Sequence, residues 1–292
     1  NKSSYFYPSV NGGFVFTDAL KIKSNLLSYG KIRASIAKVG RDAGPYLLSS
    51  VYTTGSFGNN VASFTFPYGS IAGFSASSRI ASNTLSPEFT TSYEFGINLG
   101  LFKNRVTIDA AYFNTNSKDQ IINVAIPTST GYSSKTTNIG ELSNKGVEAL
   151  VTVNVLNSRD FKWDVSANFT KIVNKVVSIA PGVDNFQIPG SAFTGSIPSI
   201  KVGYGYGVII GGVIPRSPDG DRLINPSTGV YQPTVANQVL SDPNPDYKFG
   251  FTNNFRYKDF SLGFTFDFTK GGQVLSFTSA IYKSRGAWAG TE

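Results

Sequence analysis

Apolar residues recur at every second position in six separate stretches of this chain. A period of two is the signature of the β-strand with one apolar face. In the first stretch Tyr93, Phe95, Ile97, Leu99 and Leu101 alternate with Glu94, Gly96, Asn98 and Gly100. Val106, Ile108, Ala110 and Tyr112 form the second row, and Val147, Ala149, Val151, Val153 and Val155 the third. Phe161, Trp163, Val165, Ala167 and Phe169 alternate with Lys162, Asp164, Ser166 and Asn168. Phe249, Phe251, Phe255 and Tyr257 share a fifth row, and Phe260, Leu262, Phe264, Phe266 and Phe268 a sixth. Weaker strands are expected over 5–16 and 29–38. Residues 18–27 read as a helical turn, and no longer helix is expected.

Each strong row has about the length, nine to eleven residues, that a tilted strand needs to cross a hydrocarbon core. The residues opposite are mainly Gly, Ser, Thr and Asn. Charged residues make up 15% of the 292, whereas globular domains average roughly 25%. The competing reading, a soluble β-sandwich of lectin type, would carry more charge on its outer faces. Mean hydropathy is close to zero, and no apolar run is long enough for a membrane helix. A transmembrane β-barrel reconciles few charges with modest hydropathy, because only alternate residues meet lipid. Tyr93, Tyr112, Trp163 and Tyr257 stand near strand ends, where interfacial aromatics belong.

Connections give an orientation. Short links fall at 102–105, 156–160 and 258–259, and long polar segments at about 40–90, 116–145 and 171–246. Outer-membrane barrels have short periplasmic turns and long extracellular loops, so residues 103–104, 157–160 and 258–259 are assigned to the periplasm. Strand 161–170 then runs outward and strand 248–257 inward, which requires an even number of crossings between them. Residues 202–214 (VGYGYGVIIGGVI), although apolar, are therefore expected to be loop structure.

Chemistry is constrained by what is missing. There is no Cys and no His, which removes the thiolate nucleophile, the commonest metal ligand and the usual general base. No catalytic, cofactor-binding or metal-binding residue is assigned, and the chain is not expected to be an enzyme. The net charge of +8 is dispersed, so no nucleic-acid partner is expected. The absence of Met reads as a processed or partial chain. Pro218-Asp-Gly-Asp-Arg222 resembles half of a calcium loop, but the distal Glu is missing; a hairpin turn and a loop-bound cation both stay open. Gly203, Gly205 and Gly207 lack the helix and Lys-Ser/Thr of a phosphate loop. Asp164 and Asp267 lack any apolar pocket that would make them a glycosidase pair. Tyr46, Tyr52, Phe57, Phe64, Phe66, Tyr68 and Phe74 concentrate in one outer segment. Aromatic faces stack on sugars and pack on proteins, so these seven are the candidate substrate or partner contacts, with loop self-packing as the alternative.

Three stretches carry a family resemblance: LSPEFTTSYEFGINLGLFKNRVTIDAAYFNTNSKDQII (85–122), NIGELSNKGVEALVTVNVLNSRDFKWDVSANFTKIVNKV (138–176) and SDPNPDYKFGFTNNFRYKDFSLGFTFDFTKGGQVLSFTS (241–279). They resemble the barrel of SusC/RagA-type TonB-dependent transporters, as do FYPSVNGGFVF (6–16) and YGKIRASIAKVG (29–40). Within these motifs Gly140 and Gly146 are read as loop-to-strand entry points, Asn144 and Lys145 as turn residues, and Asp242 to Pro245 as a stiffened loop.

The resemblance implies that residues 1–292 are part of a single barrel domain of approximately 22 strands, of which about eight cross here. The N-terminal plug would precede Asn1, and the final strands would follow an apparent loop at Glu292. It further implies TonB-dependent import of oligosaccharides or peptides across the cell outer membrane. The partners would be a SusD-like surface lipoprotein, TonB reached through the plug, and outer-membrane lipid, with no cofactor. The alternative is a passive porin or adhesin-type barrel without energy coupling; a TonB-contacting plug separates the two.

Overall fold

The computed structural model describes residues 5–58, 63–188 and 197–288, excluding the side chains of residues 57, 58, 63, 125, 277 and 280. Eight strands form one antiparallel sheet: β1 (Ser9–Val15), β2 (Leu27–Arg41), β3 (Glu88–Leu101), β4 (Val106–Lys118), β5 (Glu141–Asn157), β6 (Phe161–Ser178), β7 (Pro245–Tyr257) and β8 (Phe260–Gly271). Their order across the sheet is their order along the chain, the up-and-down meander of a barrel wall. All eight expected strands are present. Most exceed nine to eleven residues because polar ends such as Asn114-Thr-Asn-Ser-Lys118 continue the ladder beyond the apolar rows.

Register joins those rows into one face. Phe14 stands opposite Ile32, Ile32 opposite Ile97, Ile97 opposite Ala110 and Ala110 opposite Ala149. The line continues through Phe169 and Phe249 to Phe268. Burial runs opposite to that of a soluble sheet. On β2 the apolar Ile32, Ala34 and Ile36 are exposed, while Lys31, Arg33 and Ser35 on the other face are half-buried. Phe95 is 55% and Phe266 65% exposed. Such a wide exposed apolar surface needs a non-aqueous neighbour.

The buried core lies at the long-loop end of the sheet instead. Val176, near the end of β6, packs with Ile179, Phe186 and Ile200. Residues 179–244 fold a separate four-stranded sheet from Asn185–Gln187, Ile197–Lys201, Val208–Val213 and Val235–Ser241. The apolar 202–214 stretch contributes Val208–Val213 to this sheet and none to the main one. In segment 42–87, Tyr52–Thr54 pairs with Phe74–Ala76 and Ser56–Gly58 with Ser63–Thr65. Arg79–Ile80 joins Ser134–Asn138, which pairs with Ile121–Ala125.

Short links close the opposite end. Phe102, Lys103 and Asn104 all adopt positive φ, as does Lys258 in its two-residue turn. Nearby α1 (Phe16–Ala19) is the expected helical turn, displaced toward the N-terminus. It is pinned there because Gly30 N donates to Thr17 Oγ1 at 3.1 Å and the Phe16 ring lies over Gly30. A second helix, α2 (Phe277–Ser284), occupies part of the segment expected to be loop. Its N-cap is Ser276, whose hydroxyl accepts from Ser279 N.

Two motif readings are corrected. Asn144, Lys145 and Gly146 are not a turn: they lie within regular β5, opposite Asn174, Val173 and Ile172. Gly146 serves packing, because the Phe113 ring lies where a Cβ would project. Gly140 does enter the strand with φ 92°, a conformation that favours glycine. Asp242 to Pro245 forms the expected stiff turn, with Asn244 N donating to Asp242 Oδ1 at 2.8 Å.

Candidate functional site

The face opposite the apolar rows holds the polar constellations. Arg33 on β2 reaches across two neighbouring strands. Its Nη1 donates to Asn98 Oδ1 at 2.8 Å and to Asp109 Oδ1 at 2.9 Å, and its Nε lies 3.5 Å from Glu94 Oε1. This reach requires Gly96, since a Cβ there would meet the guanidinium carbon at 2.5 Å. The cluster is half open to solvent, so each ion pair contributes about 0–1 kcal/mol. Its main effect is to fix side chains on a water-facing wall.

Nearer the long-loop end of the sheet, backbone and side-chain amides converge. Asn174 on β6 donates through Nδ2 to Asn144 Oδ1 on β5 at 2.6 Å, while its Oδ1 accepts from Tyr206 N at 2.6 Å. Asn244 Nδ2 donates to Tyr206 O at 3.1 Å. With Thr170, Ile172 and Lys248 these groups line a pocket of about 450 Å³. The pocket offers carbonyls, amides, the phenol rings of Tyr206 and Tyr247 and one ammonium, a set suited to hydroxyl- or amide-rich ligands. Sequence reasoning gave Asn144 and Asn244 only folding roles and passed over Asn174 and Tyr206. The usable signal was parity: Asn144 and Asn174 stand in polar rows, directly opposite each other.

The outer aromatics separate into groups. Phe64 makes edge contacts with Phe66 (5.9 Å) and Tyr68 (6.0 Å). Tyr52 and Phe74 share one side of a small strand pair, two positions out of register, and are largely exposed. Tyr46 stands apart; its carbonyl accepts from Arg79 Nη2 at 3.1 Å and its ring is exposed. Phe57 belongs to Ser56–Gly58, opposite Phe64; its side chain lies outside the described set. Part of the list is therefore self-packed, and Tyr52, Tyr68 and Phe74 present rings outward.

The remaining motifs are backbone devices. Around 218–222, Gly220 N donates to Ser217 O and Ser217 N to Asp221 O, while Arg216 Nη1 donates to Gly220 O. Among the described residues no three of His, Cys, Asp and Glu gather. Gly203 and Gly207 adopt positive φ in a connection that leads into a strand. Asp164 faces Asn254 on β7, and Asp267 on β8 faces Gly250, four residues away along β7.

Comparisons with known proteins agree with this geometry. The family described as TonB dependent receptor-like, beta-barrel matches residues 1–216. TonB-dependent receptor P3 of Formosa agariphila is 29% identical over 218 residues, covering 68% of this chain and 22% of the relative. TonB-dependent receptor SusC of Bacteroides thetaiotaomicron is 29% identical over 123 residues, covering 41% of this chain and 12% of that protein. Among solved structures, the RagAB peptide transporter superposes with a TM-score of 0.71 at 21% identity, covering 91% of this chain and 29% of that one. The chain thus spans less than a third of these relatives' own lengths. The meander of eight strands, its exposed apolar face and the match over 1–216 together place the chain in the TonB-dependent receptor β-barrel family, as a stretch of outer-membrane barrel wall.

Proposed function

We propose that this chain is an arc of an approximately 22-stranded barrel that imports oligosaccharides or peptides, energised through TonB and capped by a SusD-like lipoprotein. One observation carries the reading: the long outer segments are folded platforms with their own sheets and core. Loops of that length in a compact protein are usually functional. The platforms display Tyr52, Tyr68 and Phe74 on one segment and Tyr204 and Tyr231 on the other, and protein interfaces favour aromatic anchors. Beneath them, the pocket of Asn144, Asn174, Tyr206 and Asn244 supplies the paired donors and acceptors that hydroxyl or amide groups require. The names of the RagAB and SusC relatives point the same way: one is called a peptide transporter, the other a TonB-dependent receptor.

The test uses full-length protein in its native membrane. Cells carrying wild type, or Tyr52→Ser/Tyr68→Ser/Phe74→Ser at matched abundance, are assayed for lipoprotein co-purification and for uptake of labelled oligosaccharide and peptide pools. Each assay is repeated with TonB deleted. Uptake that needs TonB and falls with the aromatic variant supports the reading. Uptake indifferent to TonB identifies a passive porin, and unchanged lipoprotein capture removes these rings from the docking surface.

A further inference from the structure

Six lysines fall on the apolar side of the sheet, all toward its outer end. Lys118 is paired with Glu141 and Lys175 lies four residues beyond Lys171, which leaves Lys38, Lys145, Lys171 and Lys270 bordering the apolar rows. Residues two apart on a strand share a face. Lys38 follows Ile32, Ala34 and Ile36 on β2, and Lys145 precedes Val147 and Ala149 on β5. Lys171 follows Ala167 and Phe169 on β6, and Lys270 follows Phe266 and Phe268 on β8. The Lys38 ammonium lies 4.7 Å from the centre of the Phe89 ring, on that same face.

Register also sets their depth. The row Leu101–Val106 borders the β3–β4 turn and continues through Val153 and Val165 to Asn253. Asn253 is four residues short of Tyr257, which borders the β7–β8 turn. A line of constant depth therefore drops four residues over four strands. The rows of Lys38, Lys145 and Lys171 meet β4 at Asn116, Asn114 and Tyr112. That is also a drop of four residues over the four steps from β2 to β6, so these three lysines stand at one level. Lys270 lies two residues above it, because the row of Phe268 meets β4 at Ala110.

The belt is one-sided in sign. Glu94, Asp109, Glu148, Asp164 and Asp267 all alternate onto the opposite face. Glu141, at the far outer end, is paired with Lys118 at 3.6 Å. None of the four lysines joins an ion pair among the described residues. At the turn end the same face ends in Phe161, Tyr257 and Phe260, with the Lys258 ammonium 5.4 Å from the centre of the Tyr257 ring. A lysine at an apolar border lays its stem along the hydrocarbon and its ammonium in the headgroup layer, where phosphates are its natural counter-charge.

We propose that Lys38, Lys145, Lys171 and Lys270 bind phosphate groups of outer-leaflet lipids, fixing a shell of phosphorylated lipid around this arc of the barrel. The experiment compares full-length wild type, Lys145→Gln/Lys171→Gln and the charge-matched control Lys31→Gln/Lys162→Gln, whose side chains face the lumen. Each is extracted in mild detergent, and lipid phosphorus bound per protein is measured. Rebinding follows in phosphatidylcholine vesicles with and without an anionic phospholipid. The outward pair should lose about twofold in bound lipid phosphorus, the quadruple glutamine variant more, and the control nothing. Replacing all four by arginine should restore wild-type binding, which shows that charge and not folding is read. Equal retention in all variants, or equal loss in the control, overturns the proposal. Stripping by inorganic phosphate at matched phosphorus would also overturn it, because the site would then hold a free anion.

Discussion

The indole Nε1 of Trp163 donates to Asn253 Oδ1 at 3.1 Å across the β6–β7 pair, on the apolar face itself. Asn253 is the one amide among the Phe249, Phe251, Phe255 and Tyr257 row, and it is only 5% exposed. Phe255 stacks on the indole at 5.5 Å, and Phe264 stands directly opposite Asn253. The aromatic neighbours shield a polar group that lipid would not solvate, and the indole supplies its partner.

Trp163→Phe should therefore destabilise the full-length barrel by about 1–3 kcal/mol, because Asn253 Oδ1 is left buried without its donor. Asn253→Leu should cost less, and the double variant should be less unstable than the sum of the two. A double-mutant cycle on urea midpoints in lipid measures this. Additive losses would show that the hydrogen bond contributes nothing.

The two faces of β8 should respond oppositely to charge. Phe264 stands about midway between the 258–259 turn and Lys270, on the lipid side. Phe264→Arg should cost roughly 2–4 kcal/mol. Thr265, whose hydroxyl meets Thr252 Oγ1 at 2.9 Å, faces the lumen, and Thr265→Arg should fold. Heat-modifiable gel mobility of the two variants reads the difference. Equal tolerance would contradict the lipid-side assignment.

Gly146 should tolerate no branched side chain. A Cβ there meets the Phe113 ring and, at 2.8 Å, the carbonyl oxygen of Lys171. The ring can rotate away but the backbone of β6 cannot, so Gly146→Val should cost about 1–3 kcal/mol. Adding Phe113→Ala should recover only part of that loss. Full recovery would mean that the ring alone sets the constraint.

The strands were legible because lipid on one side and water on the other force strict alternation, and the register preserves it through all eight strands. Asn253 broke the pattern of the fifth row, and only the structure shows that Trp163 satisfies it. The Asn144–Lys145–Gly146 misreading has a similar cause. Turn chemistry and strand chemistry use the same Asn and Gly residues, and the deciding facts, Asn174 opposite Asn144 and Phe113 above Gly146, come from strands far apart in sequence. The pocket of Asn174, Tyr206 and Asn244 was illegible for the same reason: its members meet only after segment 179–244 folds back over the end of β6.

Orientation gives the last expectation. Every short link lies at one end of the sheet and every folded platform at the other, so a single labelling experiment decides which end faces outside. Ser227 sits in an exposed turn, its N–H bonded to Asn225 Oδ1 at 2.9 Å. Lys258 sits in the two-residue β7–β8 turn, its N–H bonded to Asp160 O at 2.8 Å. These 292 residues contain no Cys, so each substitution adds a thiol to a segment that has none. Ser227→Cys should react with a membrane-impermeant maleimide on intact cells, and Lys258→Cys only after the envelope is opened. The outcome also bears on the lysine belt, because Lys38, Lys145 and Lys171 lie toward the platform end of their strands. Reversed labelling would move the belt to the periplasmic leaflet, turn the aromatic platforms away from any surface partner, and refute both assignments at once.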